Sequence, residues 1–527
     1  MDKLYIQWCQ HLAGTPDGQN LAAMPESERS QAFDGELKFG TGGLRGIMGL
    51  GTNRLNRYTV ERVTSGLAKT IMSQPFPHKI AIAYDTRHHS AAFADIAARL
   101  LAAYGMDVLF FDKPMPTPVL SFAVRHCGCG WGIVLTASHN PQEYNGYKVY
   151  DHRGVQLTNR MADTVAQAIE GVAYFSPHPQ ENGKISIVDS AVVDAYTAHV
   201  LEIVGKRKGD AIPLVYSALH GTGANVVPYV LQRLGFDPVC IQQNPDGAFG
   251  GLKTPNPEEP VVYALAMEQA QRSGANLLCA TDPDADRVGV MVRQQDGFLP
   301  LDGNQIGALI IDYLAKTRGV SPGDIVITTI VSGGLGERVA AAHGLGFERL
   351  LTGFKYIGER AEELLLEKKK FFFGYEESYG YLTGDRVRDK DAVIASALIA
   401  NMAAYYREQG RTLLDMWHVL SAQHGYFLEA LDSVHLPPAN QKEIMTRLRS
   451  GYAVQGLTRL EDYAGGLYNL PPSDVIKLYF EDGWAALRPS GTEPKIKLYT
   501  GIRSAAYPQA QQRLKALRKQ LLSLLEG

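Results

Sequence analysis

The sequence predicts an α/β protein with three similar doubly wound domains, each built on a mixed and mostly parallel sheet, followed by a C-terminal α+β domain. Three features of the 527-residue chain lead to this prediction. Apolar runs of strand length alternate with helical patterns, which is typical of parallel sheets covered by helices. The alternation follows the order β-α-β-α-β three times. Roughly the last 100 residues, the size of a typical domain, instead bring three strands together before one long helix.

The predicted elements follow this plan in chain order. The first repeat has strands at 79–84, 107–111 and 132–135 and helices at 91–104 and 119–125. The second has strands at 212–218, 238–242 and 276–280 and helices at 225–234 and 261–272. The third has strands at 324–330, 348–351 and 370–373 and helices at 334–343 and 357–368. The last domain has strands at 475–480, 484–487 and 495–501 and a helix at 508–525.

Each repeat ends on a strand that leads into a polar loop. Because open α/β sheets bind ligands beyond the carboxyl ends of their strands, we expect the three loops to serve one shared cleft. Composition restricts the ligand. With 52 Lys and Arg against 55 Asp and Glu, the net charge of −3 gives no overall attraction for nucleic acid, so any anion site must be local.

The chain predicts a cytoplasmic protein with neither a membrane nor a nucleic-acid partner. Its N-terminus lacks the basic start and apolar run of a signal peptide, and no stretch reaches the ~20 apolar residues of a membrane helix. Five scattered cysteines suit a reducing compartment.

The first polar loop reads Thr136-Ala137-Ser138-His139-Asn140-Pro141 and follows the apolar run 132–135 directly. A serine hydroxyl held at the end of a rigid strand is positioned to act as a nucleophile, with His139 and Lys148 close by in the sequence. Ser, Asn and Pro also favour turns, so the same residues are compatible with a turn that only ends the strand.

The second loop, Asp282-Pro283-Asp284-Ala285-Asp286-Arg287, offers carboxylates at alternate positions. In an extended segment these side chains would point to the same side. Three converging oxygen donors make a site for a hard divalent cation such as Mg²⁺, and the adjacent Arg287 suits a bound phosphate. The alternative is a solvated acidic turn. It is not an EF-hand, because Arg287 and Arg293 occupy the positions of the required glycine and glutamate.

Three further motifs indicate anion or sugar binding. The glycine-rich stretch 39–46 contains Thr41 and ends near Arg45, so its backbone amides and guanidinium are able to approach an anion, although a flexible turn explains it equally well. The turn 488–495 combines a guanidinium, two hydroxyls and a glycine amide, the groups that hold a phosphate dianion. The loop 374–380 carries Glu376 and Ser378, which suit vicinal sugar hydroxyls or an acidic turn at a helix start.

Taken together, and in this order from Gly40 to Lys497, the motifs resemble those of the α-D-phosphohexomutase superfamily, which includes phosphoglucomutases and phosphomannomutases. The segments 145–150 and 387–392 are similar to its longer branch, which contains the bacterial phosphoglucomutases. The resemblance implies a heart-shaped, four-domain architecture. The implied domains are 1–207 with the phosphoserine loop, 208–316 with the metal loop, 317–430 with the sugar loop, and 431–527 with the distal phosphate loop.

The resemblance also implies residue roles. Ser138 is similar to the serine that carries a phosphate, and together with Asp282, Asp284 and Asp286 it is expected to bind Mg²⁺. Lys148 matches the proposed general base, with His139 and Arg45 assisting the transition state. Arg287 matches the arginine that contacts the phosphoserine. The remaining residues that the resemblance assigns to substrate binding are Thr41, Lys355, Glu376, Ser378, Arg488, Ser490, Gly491 and Thr492.

The implied activity is isomerisation of α-D-glucose 1-phosphate and glucose 6-phosphate through a phosphoserine, with glucose 1,6-bisphosphate as intermediate and activator. The Glu-Glu-Ser order of residues 376–378 resembles the glucose-type loop, while mannose and pentose phosphates remain open as substrates. A metal-dependent phosphatase would not need the second phosphate cradle at 488–492. A non-catalytic sugar-phosphate-binding protein is a further alternative. We expect a phosphosugar partner and a monomer or homodimer.

Overall fold

The structure is a computed structural model that describes residues 2–40, 42–295, 297–489 and 495–526. The described chain forms two compact units. The first comprises the residues up to Asp302, Phe354–Gly374 and Ser378–Gly410. The second comprises Gly303–Gly353, Tyr375–Glu377 and the residues from Arg411 onward.

The N-terminal region builds a six-stranded sheet with helices around it. Its elements are α1 (Asp2–His11), α2 (Pro16–Ala23), α3 (Glu26–Ala32), β1 (Leu44–Ile47), α4 (Arg57–Met72), β2 (Lys79–Tyr84), α5 (Ser90–Ala103), β3 (Asp107–Phe110), α6 (Thr117–His126), β4 (Trp131–Leu135), β5 (Tyr144–Asp151), α7 (Asn159–Glu170), β6 (Ile185–Ile187) and α8 (Ser190–Val204). The strand order is β1-β5-β4-β2-β3-β6. β2 pairs in parallel with β3 and β4, whereas β5 pairs antiparallel with β4 and β1.

The first three helices pack around Trp8, which is fully buried. Its ring makes edge contacts with Phe33 and Tyr58 at centroid distances of 5.7 and 5.2 Å. The helix that follows, α4, begins at a capping box, because the Asn56 side chain accepts from the amides of Tyr58 and Thr59 while the Thr59 hydroxyl accepts from the Asn56 amide. A reciprocal cap of this kind satisfies backbone donors that the first helical turn leaves open.

The second region forms a five-stranded sheet. Its elements are β7 (Leu214–Ser217), α9 (Val227–Arg233), β8 (Val239–Ile241), α10 (Ala264–Ser273), β9 (Leu277–Thr281), β10 (Val288–Gln294) and β11 (Gly297–Leu301). Short 3₁₀ turns occupy Thr222–Asn225, Phe249–Gly251 and Pro260–Tyr263. The order is β11-β10-β9-β7-β8, with β7 parallel to β8 and β9. All five residues of β9 are buried, and the strand ends directly before Asp282.

The third region adds α11 (Gly303–Arg318), β12 (Asp324–Thr329), α12 (Leu335–Ala342), β13 (Gly346–Leu350), α13 (Phe354–Leu366), β14 (Lys370–Glu376), β15 (Gly380–Leu382) and α14 (Ala392–Glu408). The sheet order is β13-β12-β14-β15, with β12 parallel to β13. The strand predicted at 370–373 runs three residues further, so that Glu376 is its last residue.

The C-terminal region forms an antiparallel sheet and confirms the predicted α+β character. Its elements are α15 (Leu413–His424), β16 (Tyr426–His435), α16 (Pro438–Arg449), β17 (Arg459–Asp462), β18 (Ile476–Tyr479), β19 (Gly483–Pro489), β20 (Lys495–Ser504) and α17 (Tyr507–Glu526). The order is β16-β20-β19-β18-β17. Ile476, Leu487, Leu498 and Leu521 belong to one buried apolar cluster of this region.

The predicted fold class, three α/β sheets followed by an α+β domain, is confirmed by these sheets. The boundaries at 207, 316 and 430 stay a prediction. Within the described ranges, no helix combines the length and the apolar character needed to cross a membrane.

Candidate active site

Ser138 lies on a strained turn directly after the buried strand β4. Its φ of +53° is a left-handed conformation that non-glycine residues rarely adopt, and such strain clusters at functional sites. The side chain is buried, and its amide donates to Thr136 Oγ1 over 2.9 Å. The hydroxyl donates to Asp282 Oδ2 over 2.6 Å and lies 3.3 Å from His139 Nδ1. Because β4 fixes the start of the turn, the hydroxyl is directed at a carboxylate rather than at solvent.

The aspartate triplet, Asp282, Asp284 and Asp286, converges as expected, but not for the expected reason. The segment is a tight turn, and the prediction of an extended segment is wrong. The Asp282 carbonyl accepts from the Ala285 amide, and Asp282 Oδ1 accepts from the amides of Asp286 and Arg287. Ala285 has a φ of +49°. The turn brings one carboxylate oxygen of each member to within 4.8 Å of the others.

The triplet fits a divalent cation. All three side chains are buried, and Asp284 Oδ1 and Asp286 Oδ1 have no hydrogen-bond partner among the described residues. Buried carboxylate oxygens need a hydrogen bond or a cation to offset their lost hydration. Burial, reinforced by the charges of Asp286 and Asp284, raises the pKa of Asp282 well above its ordinary value. A cation bound among them would reverse that effect, and oxygen donors of this kind are those that Mg²⁺ and Ca²⁺ prefer.

Lys148 reaches the triplet from β5. Its amine donates to Asp284 Oδ2 over 2.9 Å and lies 3.3 Å from Asp286 Oδ2. Burial alone would favour the neutral amine, but the two carboxylates outweigh it and raise the pKa of Lys148. The residue predicted as general base is therefore an ammonium that hydrogen-bonds the triplet in this arrangement.

Lys390 is a second buried lysine at the triplet, and its place there was not predicted from the sequence. Its amine lies 3.1 Å from Asp286 Oδ2 and 3.2 Å from Asp389 Oδ1. Although burial opposes ionisation of Asp286, Lys390 and Lys148 outweigh it and lower the pKa of this carboxyl. The alternating charges of the segment 386–391 were the available signal.

Thr117 was missed as well, and it holds the position of Asp284. Its hydroxyl donates to Asp284 Oδ2 and its amide to the Asp284 carbonyl, each over 2.9 Å. Together with Lys148 it occupies Oδ2, which leaves Oδ1 for a cation. No spacing in the sequence marks Thr117, since it lies 167 residues from its partner.

Two predicted cationic residues lie close to this centre in different ways. Arg287 forms an ion pair of 2.8 Å with Glu258 and lies 3.8 Å from Asp286. Arg45, on β1, has an exposed side chain that donates to Asn140 Oδ1 over 3.0 Å. Thr41, predicted to bind substrate, lies outside the described residues.

The predicted sugar-binding residues sit at strand and helix ends. Glu376 is buried at the end of β14 and accepts from the Gly353 amide over 2.8 Å. Its neighbour Glu377 accepts from the hydroxyls of Thr329 and Ser332. Ser378 lies half-buried in the following turn. In the first turn of α13, the amine of the buried Lys355 lies 3.4 Å from Asn159 Oδ1.

The predicted distal phosphate loop is described only at its start. Arg488 is half-buried near the end of β19, opposite Lys497 on β20, so two cationic side chains flank the loop. Ser490, Gly491 and Thr492 lie outside the described residues.

Nearly the whole chain is similar to known proteins of one family. Four family models match in order, described as phosphoglucomutase/phosphomannomutase α/β/α domains I, II and III and C-terminal domain, over residues 36–174, 194–297, 302–420 and 440–513. A phosphoglucomutase of Staphylococcus epidermidis is 38% identical over 90% of this chain and 92% of its own, and one of Staphylococcus aureus is 36% identical over 93% and 94%.

A solved structure has the same fold. The crystal structure described as a putative phosphomannomutase from Thermus thermophilus is 24% identical, with a TM-score of 0.72 over 94% of this chain and 100% of its own. At this identity the likeness concerns the fold.

Proposed function

The chain belongs to the phosphoglucomutase/phosphomannomutase family, and from this premise we propose that it interconverts α-D-glucose 1-phosphate and glucose 6-phosphate. It is an isomerase that changes the position of the phosphate on a sugar phosphate. The observation that carries the proposal is the Ser138 hydroxyl, which is held on a strained turn 2.6 Å from one of three converging buried carboxylates.

In the proposed reaction, Ser138 carries a phosphoryl group. The phosphoserine donates it to the free hydroxyl of a sugar monophosphate, and the glucose 1,6-bisphosphate so formed returns its other phosphate to Ser138. The triplet would hold the divalent cation, proposed to be Mg²⁺, which when bound withdraws charge from the transferring group. Lys148 is proposed as the general base, which requires that it first release its own proton before it accepts that of the attacking hydroxyl. His139 and Arg45 are proposed to balance the charge that develops in the transition state.

A mutase also has to hold the phosphate that is not reacting. Arg488, with Ser490, Gly491 and Thr492, is proposed for that role, because a guanidinium combined with hydroxyls and a glycine amide matches a phosphate dianion. Glu376, Ser378 and Lys355 are proposed to bind the sugar, Thr41 to contact substrate, and Arg287 to contact the phosphoserine. A phosphatase would have no use for the second phosphate site.

Glucose is proposed as the sugar because relatives that are 36–38% identical over about nine-tenths of the chain are phosphoglucomutases. We further propose a cytoplasmic enzyme, a monomer or homodimer, with four domains divided at residues 207, 316 and 430. Glucose 1,6-bisphosphate is proposed as its activator.

One side-by-side assay tests the proposal. The purified chain, supplied with Mg²⁺ and the matching bisphosphate, is given glucose, mannose, N-acetylglucosamine and ribose 1-phosphates at equal concentrations. We expect the highest kcat/KM with glucose 1-phosphate. A higher value with another sugar would overturn the substrate while leaving a mutase, and the absence of isomerisation with every sugar would overturn the proposed function itself.

A further inference from the structure

A fully buried arginine, Arg87, forms hydrogen bonds with the turn that carries Ser138. It follows β2, and its side chain has no exposed surface. Its guanidinium donates to the carbonyl oxygens of Ser138, Asn140, Pro141 and Tyr144, the last two over 2.8 and 3.1 Å. These four acceptors, three on the turn and one at the start of β5, use most of the donors that a guanidinium has.

The turn needs such a partner because of its shape. Ser138 has a left-handed backbone, and the chain then reverses through Pro141 before β5 begins. The carbonyls of Ser138 and Asn140 lie in the turn between β4 and β5, whereas the Pro141 carbonyl also accepts from the Tyr144 amide, where β5 begins. Leaving buried carbonyls of such a turn without a donor would be unfavourable. A planar guanidinium presents several donors in a fixed fork, whereas a lysine ammonium is a compact point charge.

Arg87 is itself held from two other sides. Asp85 lies 3.2 Å from its Nε, and Asp85 in turn accepts from the Ser90 hydroxyl over 2.7 Å and from the Arg87 amide over 2.9 Å. The ring of Phe249 lies 4.9 Å from the guanidinium carbon. An ion pair on one side and an aromatic face on the other leave the guanidinium little freedom to move.

We propose that Arg87 is a positioning residue for phosphoryl transfer, because its guanidinium fixes the turn so that Ser138 Oγ points at Asp282. The inference rests on the proposed function. Arg87 donates to backbone carbonyls of the turn, so its contribution comes through the placement of Ser138. Phosphoryl transfer requires the attacking and leaving oxygens to be in line, and a displacement of about 1 Å costs on the order of 100-fold in rate.

The test compares Arg87→Lys and Arg87→Met with matched changes at Arg62, in the same compact unit. Arg62 also combines a carboxylate, a carbonyl and a ring: it donates to Glu36 over 2.7 Å and to the Val172 carbonyl over 2.8 Å, and it lies 4.6 Å from the Tyr174 ring. Arg62→Lys and Arg62→Met therefore control for the loss of a well-bonded arginine away from Ser138.

We expect Arg87→Lys to lower kcat about 10- to 100-fold while KM for glucose 1-phosphate changes less than about threefold, since only the placement of Ser138 changes. Arg62→Lys is expected to leave kcat within about twofold, even if its thermal midpoint falls as far as that of Arg87→Lys. If Arg87→Lys keeps the wild-type kcat, or if both lysine variants lose kcat in proportion to their thermal midpoints, the inference is wrong.

Hydrogen exchange gives a readout that needs no activity. Without substrate, both Arg87 variants should exchange faster than wild type in peptides covering residues 136–146, and the Arg62 variants should not. Unchanged exchange there would overturn the inference. A wild-type chain without mutase activity would instead overturn the proposed function, and the exchange data would still decide whether Arg87 holds the turn.

Discussion

The turn that carries Ser138 and the strand that carries Arg488 are built in contrasting ways. Ser138 and the aspartate triplet are buried, and side chains far apart in the sequence hydrogen-bond to them. Arg488 is half-buried near the end of the antiparallel β19–β20 ladder, where its register partner is another cation, Lys497. The first region holds the Ser138 hydroxyl and one oxygen of Asp284 by hydrogen bonds from distant residues, whereas the second presents positive charge near the end of a strand.

Under the proposed function, this difference would separate the chemical step from substrate binding. A group that makes and breaks bonds must be positioned closely, so its loss should appear in kcat. A charge that only holds an idle phosphate contributes to substrate and transition state alike, so its loss should appear in KM.

Removal of the Ser138 hydroxyl should have the largest effect. In Ser138→Ala, kcat should fall on the order of 10⁴-fold or more, because the variant loses the hydroxyl proposed to carry the phosphate beside Asp282. A coupled assay of glucose 6-phosphate formation measures it. Ser396→Ala is the control, since the buried Ser396 hydroxyl has no hydrogen-bond partner among the described residues and should be dispensable. Retention of more than a few per cent of the activity in Ser138→Ala would contradict the account.

Thr117→Val tests whether the Thr117 hydroxyl holds Asp284 in place for the proposed metal site. The variant loses the donor to Asp284 Oδ2, so the carboxylate is free to turn, and the Mg²⁺ concentration for half-maximal activity should rise about 10- to 100-fold. Saturating Mg²⁺ should restore most of kcat. Thr64→Val removes a comparable buried hydroxyl, which pairs with Tyr147, and should leave the Mg²⁺ requirement unchanged. An unaltered Mg²⁺ requirement in Thr117→Val would show that Asp284 needs no such support.

Arg488→Gln tests whether Arg488 contributes to substrate binding rather than to the chemical step. Loss of a charged hydrogen bond to phosphate is worth about 1.5 kcal/mol, so KM for glucose 1-phosphate should rise about tenfold while kcat changes little. Arg513→Gln, on the surface of α17, should leave both constants unchanged. A fall in kcat at constant KM would mean that Arg488 acts in the chemical step, and the separation drawn here would fail.

Lys477 provides a pH prediction for stability rather than activity. It is buried in β18 and donates to the Ile330 carbonyl over 2.6 Å. Burial, assisted by the charge of Arg349, lowers its pKa from 10.5 to about 7. Between pH 7 and 10.5 the unfolded chain therefore binds more protons here than the folded one, and this group makes stability rise with pH over that window.

Lys477→Met should remove that contribution. The thermal midpoint of the variant relative to wild type should be highest near pH 7 and should decline toward pH 10. In that window the folded lysine is largely neutral, and wild type gains stability as the advantage of protonating the lysine in the unfolded chain disappears. Lys442→Met, which makes the same replacement at an exposed lysine, is the matched control. A pH-independent difference for Lys477→Met would contradict the assigned direction.

Much of the fold could be predicted because local pattern and tertiary structure agree. Strand β2 coincides with the predicted 79–84, and the apolar runs before Ser138 and Asp282 are buried strands. The antiparallel strand β5 was missed because a β-α-β pattern predicts a helix after each strand, whereas β5 follows β4 without a helix and pairs with it antiparallel. That strand is what carries Lys148 to the aspartate triplet.

The supporting residues could not be predicted, for a physical reason. Arg87, Thr117 and Lys390 acquire their roles from partners that are 51 or more residues away in the chain, and nothing in their neighbours specifies those partners. Reactive residues stand in recognisable motifs, whereas the groups that orient them are defined by packing. The turn that begins at Asp282 shows the same limit. The spacing of its three aspartates predicted a metal site, but the extended conformation assumed for the segment was wrong.

The most direct test follows a labelled phosphate. Wild-type enzyme phosphorylated with ³²P from labelled glucose 1,6-bisphosphate is mixed with unlabelled glucose 1-phosphate, and the label is traced in the Ser138 peptide, sugar bisphosphate, sugar monophosphate and inorganic phosphate. The account predicts that label starts on Ser138 and passes into bisphosphate and then monophosphate. Label that never resides on Ser138, or that leaves it only as inorganic phosphate, would contradict the account.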